Sequence, residues 1–346
     1  MSPWDLAVVG AGPAGTTLAR LTAAAGARVL LLEREALPRY KPCGGGVTPK
    51  AWPHLPPAAA ATVRWRVAAA DLIYGGRSVA MKARGAELAL VMRDEFDAAL
   101  AQAAVAAGAS LREGVRVTGL EERDDGTVEV FVAGGPSVRA RYVAVAAGAL
   151  GAPLFPGRGP RFAPALDVEL IGDGRIAAVT GDFACVPVGY AWTFPKRDIL
   201  SVGVASWAER PGGLPAAVDG YIARMGYGGL PVRIRRGHRI PVGGSLLASD
   251  LVRGRILRVG DSGGFADPIF GEGISYAVAS AVAAAPAVLA GDLSAYPRAA
   301  EGELLARFRK LAGLRRAFYG GMGAWAAAVG HLPALGGAAL GWALSR

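Results

Sequence analysis

Three stretches of this chain carry residue types at spacings suited to chemistry. The first is Gly10-Ala11-Gly12-Pro13-Ala14-Gly15, a G-x-G-x-x-G run. In such a run Gly10 permits a tight turn, Gly12 lets a pyrophosphate approach bare backbone, and Gly15 lets the next helix pack on the preceding strand. Glu33, with Arg34 beside it, follows about 20 residues on, where an acid meets ribose hydroxyls. An acid there favours FAD or NAD over a cofactor with a 2′-phosphate. The second stretch is Pro38-Arg39-Tyr40-Lys41-Pro42-Cys43-Gly44-Gly45-Gly46-Val47. Its prolines and consecutive glycines exclude helix or central strand, and bare glycine backbone is where a flat ring can lie closely. Cys43 opens the glycine run and is read as facing a cofactor rather than as a buried small hydrophobe. The third runs from Gly260-Asp261-Ser262-Gly263-Gly264 to Gly271-Glu272-Gly273-Ile274. An acid suits that place if Asp261 accepts hydrogen bonds from the hydroxyls of a ribityl chain, which only a flavin has. A helix starting at Gly273 would then aim its N–H groups at the flavin N1/O2 edge, which becomes negative on reduction.

These residues need elements to hold them. An apolar strand over 6–9, a helix over 13–25 stopped by Gly26, and a strand over 28–32 make a strand–helix–strand start. The helix N-terminus offers free N–H groups and a positive dipole end to an anion. A hairpin over 68–80 turns at Gly75-Gly76. A strand ends at Val91-Met92-Arg93, and Asp94 N-caps a helix with Asp97 in capping-box position. Arg93, at that junction, is either a surface residue or a phosphate and ring contact. Strands over 115–120 and 128–132 precede an apolar strand over 142–146, where the dinucleotide-type domain resumes.

Over 161–251 the pattern changes to alternation, with antiparallel strands at 165–171, 176–180, 189–194 and 201–206. Tyr190, Trp192 and Phe194 alternate, so all three share one sheet face. That face is either ordinary core or an aromatic wall for a long apolar or planar substrate. Lys196 and Arg197 sit just past it, where an acidic group could be held. A strand over 255–259 and a helix over 273–290 return to the first domain. A basic helix over 302–316 then precedes 317–345, which carries no acid or base except His331. That length would cross about 30 Å of hydrocarbon, but Pro333 and its many Gly and Ala residues weaken a spanning reading. Interfacial membrane binding and packing on the protein both stay open.

With 346 residues the chain can hold two domains, or one dinucleotide domain with a large insertion. Hydrophobic residues at 52% and charged residues at 19% indicate a well-buried core. The net charge of +10 suits an anionic partner such as a diphosphate or an anionic membrane face. The basic residues are scattered rather than interleaved with aromatics, which argues against nucleic acid. Two cysteines, Cys43 and Cys185, make neither a disulfide framework nor a metal cluster and fit a reducing compartment. No secretory leader is read at the N-terminus. The expectation is a cytoplasmic protein, with a peripheral place on the inner face of the cell membrane left open.

The glycine motifs, Lys41-Pro42-Cys43-Gly44-Gly45-Gly46 and Tyr190-Ala191-Trp192-Thr193-Phe194-Pro195 together resemble the geranylgeranyl reductase family. Those are FAD enzymes on the p-hydroxybenzoate hydroxylase-type fold. The K-P-C-G loop and the Y-x-W-x-F-P strand are the specific parts, and the resemblance extends to about residue 290. It implies an α/β chain: a Rossmann-type FAD-binding domain, an inserted antiparallel-sheet substrate domain and C-terminal helices. We expect 1–60, 88–155 and 252–291 in the first, 61–87 and 156–251 in the second, and 292–346 in a helical, membrane-associating or packed region. Beyond Gly10, Gly12, Gly15, Arg34 and Gly271, the resemblance implies FAD contacts from Ala14, Glu33, Cys43, Gly44, Gly46, Arg93, Val117, Asp261, Gly273 and Ile274. Tyr190, Trp192, Phe194 and Pro195 would line a prenyl pocket.

The activity implied is saturation of isolated C=C bonds in a polyprenyl chain carried on a lipid, quinone or diphosphate. Such a bond resists a bare hydride, so a proton must reach the second carbon, the less substituted one. Cys43 and Tyr190 are the expected proton donors or positioners. Related flavoproteins carry Asp-Gly where this chain has Ala146-Ala147-Gly148-Ala149. In hydroxylases that motif assists the pyrophosphate and the nicotinamide donor. NAD(P)H, ferredoxin and a quinol therefore all stand as electron donors, the last two implying a partner. The alternative activity is a monooxygenase or halogenase of the same fold. Halogenases show W-x-W-x-I-P and a lysine beyond it, and a hydroxylase would keep Asp-Gly. A non-catalytic electron carrier is the third class.

Overall fold

A computed structural model describes residues 3–82, 86–172 and 178–331. Its first sheet grows outward from the strand Trp4–Val9, whose last four residues are buried. That strand pairs in parallel with Val29–Leu32 on one side and Val138–Val145 on the other. Ser110–Arg112 and Ile256–Arg258 extend the two sides, again in parallel. Parallel strands covered on both faces have no solvent side to alternate with, hence runs such as Val29-Leu30-Leu31-Leu32. Helices Pro13–Ala24 and Ile274–Ala290 pack together over one face, and the ribbon of Val117–Glu122 with Val128–Val132 covers the other.

The helix after the Leu88–Val91 strand departs from expectation. It spans Arg93–Ala106 with Met92 as N-cap and no side-chain cap. Asp94 lies inside the first turn, and Asp97 is engaged by Arg93 and Arg39 instead of the helix end. A buried carboxylate gains more from two charge-assisted donors than from a backbone cap. Gly46–Val47, expected as loop, pairs with Leu88–Val91 in a small third sheet with Val63–Val67.

The second sheet has seven strands, in the order Val232–Pro241, Phe162–Ile171, Ile199–Ser206, Gly189–Lys196, Val179–Asp182, Ala69–Tyr74 and Arg77–Lys82. The hairpin turns at Gly75 and Gly76, both with positive φ. One pairing is parallel rather than antiparallel, Val179–Asp182 against Ala69–Tyr74, and it joins the early hairpin to the later strands. The strand expected over 176–180 lies partly outside the described residues. Helix Leu214–Arg224 covers one face of this sheet with Val168, Val202, Val204 and Tyr221. The other face carries Tyr190, Trp192 and Phe194 toward the first domain.

After Ala295–Ala300 a short π-helical turn over Glu301–Leu305 leads into the helix Ala306–His331. Its Phe318, Tyr319, Met322 and Trp325 pack against Phe183, Tyr74, Leu72 and Met81 of the second sheet. This part of the C-terminal region therefore packs on the protein. Among the described residues no helix is long and apolar enough to cross a membrane. The remainder of the apolar segment, with Pro333, lies outside the described residues.

Candidate active site

The first glycine turn is dictated by packing at two of its three positions. Gly10 has φ +109, and a Cβ there would lie 2.5 Å from the Ala146 carbonyl oxygen. A Cβ at Gly15 would lie 1.9 Å from the Gly10 carbonyl oxygen. Gly12 differs: its Cβ would meet nothing closer than Arg39 Nη2 at 3.9 Å. The protein leaves space there, as a pyrophosphate needs. The helix Pro13–Ala24 behind it has no side-chain cap and no acid in its first turn, so its N–H groups face that space. Glu33 is buried, its Oε2 accepting the Ala11 N–H at 2.9 Å. Val115 donates its N–H to the Glu33 carbonyl at 2.8 Å, which sets buried Val117 close by. Arg34 stands at the surface, paired with Glu35.

The third glycine-rich stretch meets the first. Gly260 has φ +60, and a Cβ there would come within 2.9 Å of the Ala14 Cβ. Asp261 then lies beside Gly148 and Gly273, and Lys41 Nζ stands 3.9 Å from its carboxylate. Ser262 Oγ donates to the Gly148 carbonyl at 2.8 Å, fixing the loop that lacks the Asp-Gly pair. Helix Ile274–Ala290 starts behind Gly273 with no side-chain cap and no acid in its first turn. Ile274 packs into a core with Val47, Val91 and Phe96, while Gly271 turns at φ +70 against Ile240 and Trp207. Two uncapped helix starts, an open glycine and a partly exposed acid thus converge from opposite ends of the chain. They fit FAD: Gly12 and Ala14 at the pyrophosphate, Glu33 at the ribose, and Asp261 at the ribityl hydroxyls.

The K-P-C-G loop is filled differently from expectation. Cβ atoms at Gly44 and Gly46 would lie 2.9 Å and 3.3 Å from the Phe194 ring, and one at Gly45 would lie 2.9 Å from Lys196 Nζ. One side of the bare backbone therefore receives the protein's own aromatic ring and lysine. Phe194 closes the loop against the second sheet instead of lining an open slot. Cys43 Sγ accepts the Gly45 N–H at 3.3 Å and faces the Arg93 guanidinium and Lys196. Arg93 is buried and holds Asp97 with two bonds of 2.8 Å, and Arg39 links Asp97 at 2.9 Å to Glu33 at 3.3 Å. A line of buried charge thus runs from the dinucleotide turn to Cys43.

Lys196 is likewise corrected. It is the last residue of the aromatic strand, 1% exposed, and it faces the protein's own Cys43, Glu169 and Asp167. Burial pulls its pKa down, and Cys43 with the two acids opposes that pull. Arg197 turns outward at φ +64 and donates to the Arg64 carbonyl. Trp192 lies over Gly203, where a Cβ would be 2.3 Å from its indole. Tyr190 stacks on Phe183 at 5.3 Å and on Trp207 at 6.2 Å, and its hydroxyl donates to the Phe270 carbonyl at 2.5 Å. Burial holds that phenol well above its ordinary range. Pro195 is buried opposite Leu200. An open cavity of about 330 Å³, lined by Tyr74, Phe183, Cys185, Val186 and Tyr319, adjoins this aromatic group. Sequence reasoning missed Asp167, Glu169 and His238. Their signal was faint: two acids alternating inside the apolar run Leu166-Asp167-Val168-Glu169-Leu170.

The fold and this convergence of glycines, acid and helix starts define an FAD-dependent oxidoreductase. The family model described as an FAD binding domain matches residues 4–152. A digeranylgeranylglycerophospholipid reductase from Methanosarcina acetivorans is 32% identical over 339 residues, covering 84% of this chain and 77% of the relative. A menaquinone reductase from Mycobacterium tuberculosis is 28% identical over 327 residues, covering 84% of this chain and 78% of the relative. Among solved structures, a geranylgeranyl bacteriochlorophyll reductase-like protein from Thermoplasma acidophilum superposes with a TM-score of 0.81 at 22% identity. That match covers 92% of this chain and 88% of the other, and shows the shared fold. The chain belongs to the geranylgeranyl reductase family.

Proposed function

We propose that this protein saturates isolated carbon–carbon double bonds of a polyprenyl chain carried on a lipid, a quinone or a diphosphate. The observation that carries the reading is the aromatic face of the second sheet. Tyr190 and Trp207 stack on Phe183 and Tyr319, which line an open cavity, and Phe194 of the same face meets the K-P-C-G loop. A relative named for reducing a digeranylgeranyl glycerophospholipid supports a prenyl lipid as the substrate class. The net charge of +10 suits a substrate with an anionic head group or an anionic membrane surface.

When bound, a reduced flavin supplies the hydride equivalent. The protein's part is to hold the alkene about 3–3.5 Å from the reacting atoms and to keep water out. The aromatic wall does the second and favours tertiary positive character at the carbon that takes hydride. Cys43, at the head of the glycine loop, positions the chain. Tyr190 forms wall, since its O–H is engaged by Phe270.

The test is anaerobic. FAD-loaded protein, reduced chemically, is given a geranylgeranyl lipid, and the products are read by mass spectrometry. We expect gains of two hydrogens per double bond. Cys43→Ala should retain FAD and lose roughly tenfold in turnover through poorer positioning. Dioxygen consumption yielding an oxygenated or halogenated product would overturn the reading in favour of the monooxygenase class.

A further inference from the structure

The same sheet face holds buried polar groups that the reading above does not use. Asp167 is 2% exposed, and neither carboxylate oxygen has a hydrogen-bond partner. His238, on the neighbouring edge strand, brings Nδ1 to 3.3 Å from Asp167 Oδ2, and that nitrogen has no other partner. Gly203 pairs with Asp167 on one side and Trp192 on the other. The indole lies over that glycine, and its N–H approaches the Asp167 carboxylate without completing a hydrogen bond. The Tyr40 hydroxyl, in the facing loop, is a fourth such group. Native interiors leave few polar atoms without full hydrogen bonding, and a group of them gathered where the sheet meets the facing loop calls for a reason other than stability.

The titratable and charged groups facing Asp167 are Lys196 on the aromatic strand, Lys41 and Tyr40 in the loop, Glu169 on its own strand, His238 and Tyr190. Burial outweighs the two lysines and pushes its pKa up to about 7. Burial also keeps His238 neutral, its pKa pulled down to about 3. Lys41, which faces both of these residues, stands 3.9 Å from Asp261, so the pair lies at the ribityl end of the cofactor site.

We propose that Asp167 donates the proton that alkene saturation requires, and that His238 returns one to it from solvent. The proposal rests on the prenyl-reductase reading. One C–H bond forms from the hydride equivalent of a reduced flavin. The second forms on the less substituted carbon as the carboxylic O–H breaks, and the π bond is consumed. The flavin is oxidised by two electrons, the alkene reduced by two, and Asp167 is left as carboxylate. His238 then passes it a proton from Nδ1 while taking one from water at Nε2. The hydroxide is neutralised by bulk buffer, and the neutral ring regains its Nδ1–H tautomer by proton exchange with solvent before the next turnover. Its side chain is 16% exposed against 3% for Asp167, which gives the route outward.

Asp167→Asn keeps the shape and removes the acid. We expect unchanged flavin content and unchanged flavin reduction, with single-turnover saturation down about 100-fold or more. His238→Gln should leave the first turnover intact and slow the steady state. In the unmodified protein the saturation rate should fall as pH rises through about 7, since only the protonated acid can donate. Infrared spectra give a readout without turnover: a buried carboxylic C=O band that disappears over the same pH range and is missing in Asp167→Asn. Wild-type saturation rates in Asp167→Asn would overturn this proposal alone. A flavin-loaded wild type inert toward every prenyl alkene would overturn the function reading and this proposal with it. If Asp167→Asn does not take up flavin, the wild-type infrared titration decides, and no neutral-range carboxyl band would sink the idea.

Discussion

A Cβ at Gly203 would lie 2.3 Å from the Trp192 indole and 2.8 Å from the Leu166 carbonyl oxygen. The backbone cannot yield in mid-sheet, so Gly203→Ala must tilt the indole away from its seat. Displacement by about 1 Å near reacting atoms can cost about 100-fold in rate. We expect Gly203→Ala to bind FAD normally and lose prenyl saturation on that scale, measured as turnover per bound flavin. Asp167 offers a second test at this scale. Burial lifts its pKa from the ordinary carboxylate value of 3.8 to about 7. Unfolded chains therefore ionise first, and the buried acid destabilises the fold progressively between those values, fully so above pH 7. Asp167→Asn should then raise the melting temperature relative to wild type at pH 8 and lose that advantage at pH 4.

The helix Arg93–Ala106 carries the charge line in its first turns. Asp97 is fully buried between Arg93 and Arg39, and Arg93 is itself only 5% exposed. Removing the acid leaves buried positive charge without its partner, at a cost of about 3–5 kcal/mol. Asp97→Asn should lower the denaturation midpoint accordingly and weaken FAD binding, because Arg39 also faces Glu33 at the glycine turn. Chemical denaturation with flavin fluorescence reads both. At this scale legibility follows locality. The Gly10–Gly15 turn, the Gly75-Gly76 hairpin and the helix behind Gly273 were legible because neighbouring residues decide them. The edge strand Val232–Pro241 was not, since Arg233, Arg235, Arg236, His238 and Arg239 give it no apolar alternation. Asp167 and His238 meet only through the register of that strand, which sequence spacing does not encode. The helix at Arg93 was misread because Asp97 looked like a cap and is instead a partner of a residue far away in sequence, Arg39.

Across the molecule, the cofactor site is shared between segments near both ends of the chain, and the charge line joins it to the second sheet. Glu33, Arg39, Asp97 and Arg93 lead to Cys43 and Lys196, and Lys196 faces Asp167 and Glu169. Flavin should accordingly stabilise the whole chain and not one lobe. With FAD at a hundredfold excess over its dissociation constant, the gain is about 2.7 kcal/mol. Calorimetry should show one transition moving upward as a unit, whereas a second transition that ignores FAD would show the two sheets to be energetically separate.

In the second sheet the parallel pairing of Val179–Asp182 with Ala69–Tyr74 bears on how the chain is made. The hairpin leaves the ribosome about a hundred residues before the strand that completes it. At about 5–20 residues per second it waits for several seconds with an unpaired edge, and a lone hairpin is marginal in water. Its outer strand, Arg77–Lys82, carries Arg77 and Lys82 at its two ends, charges that discourage adhesion between nascent copies during that wait.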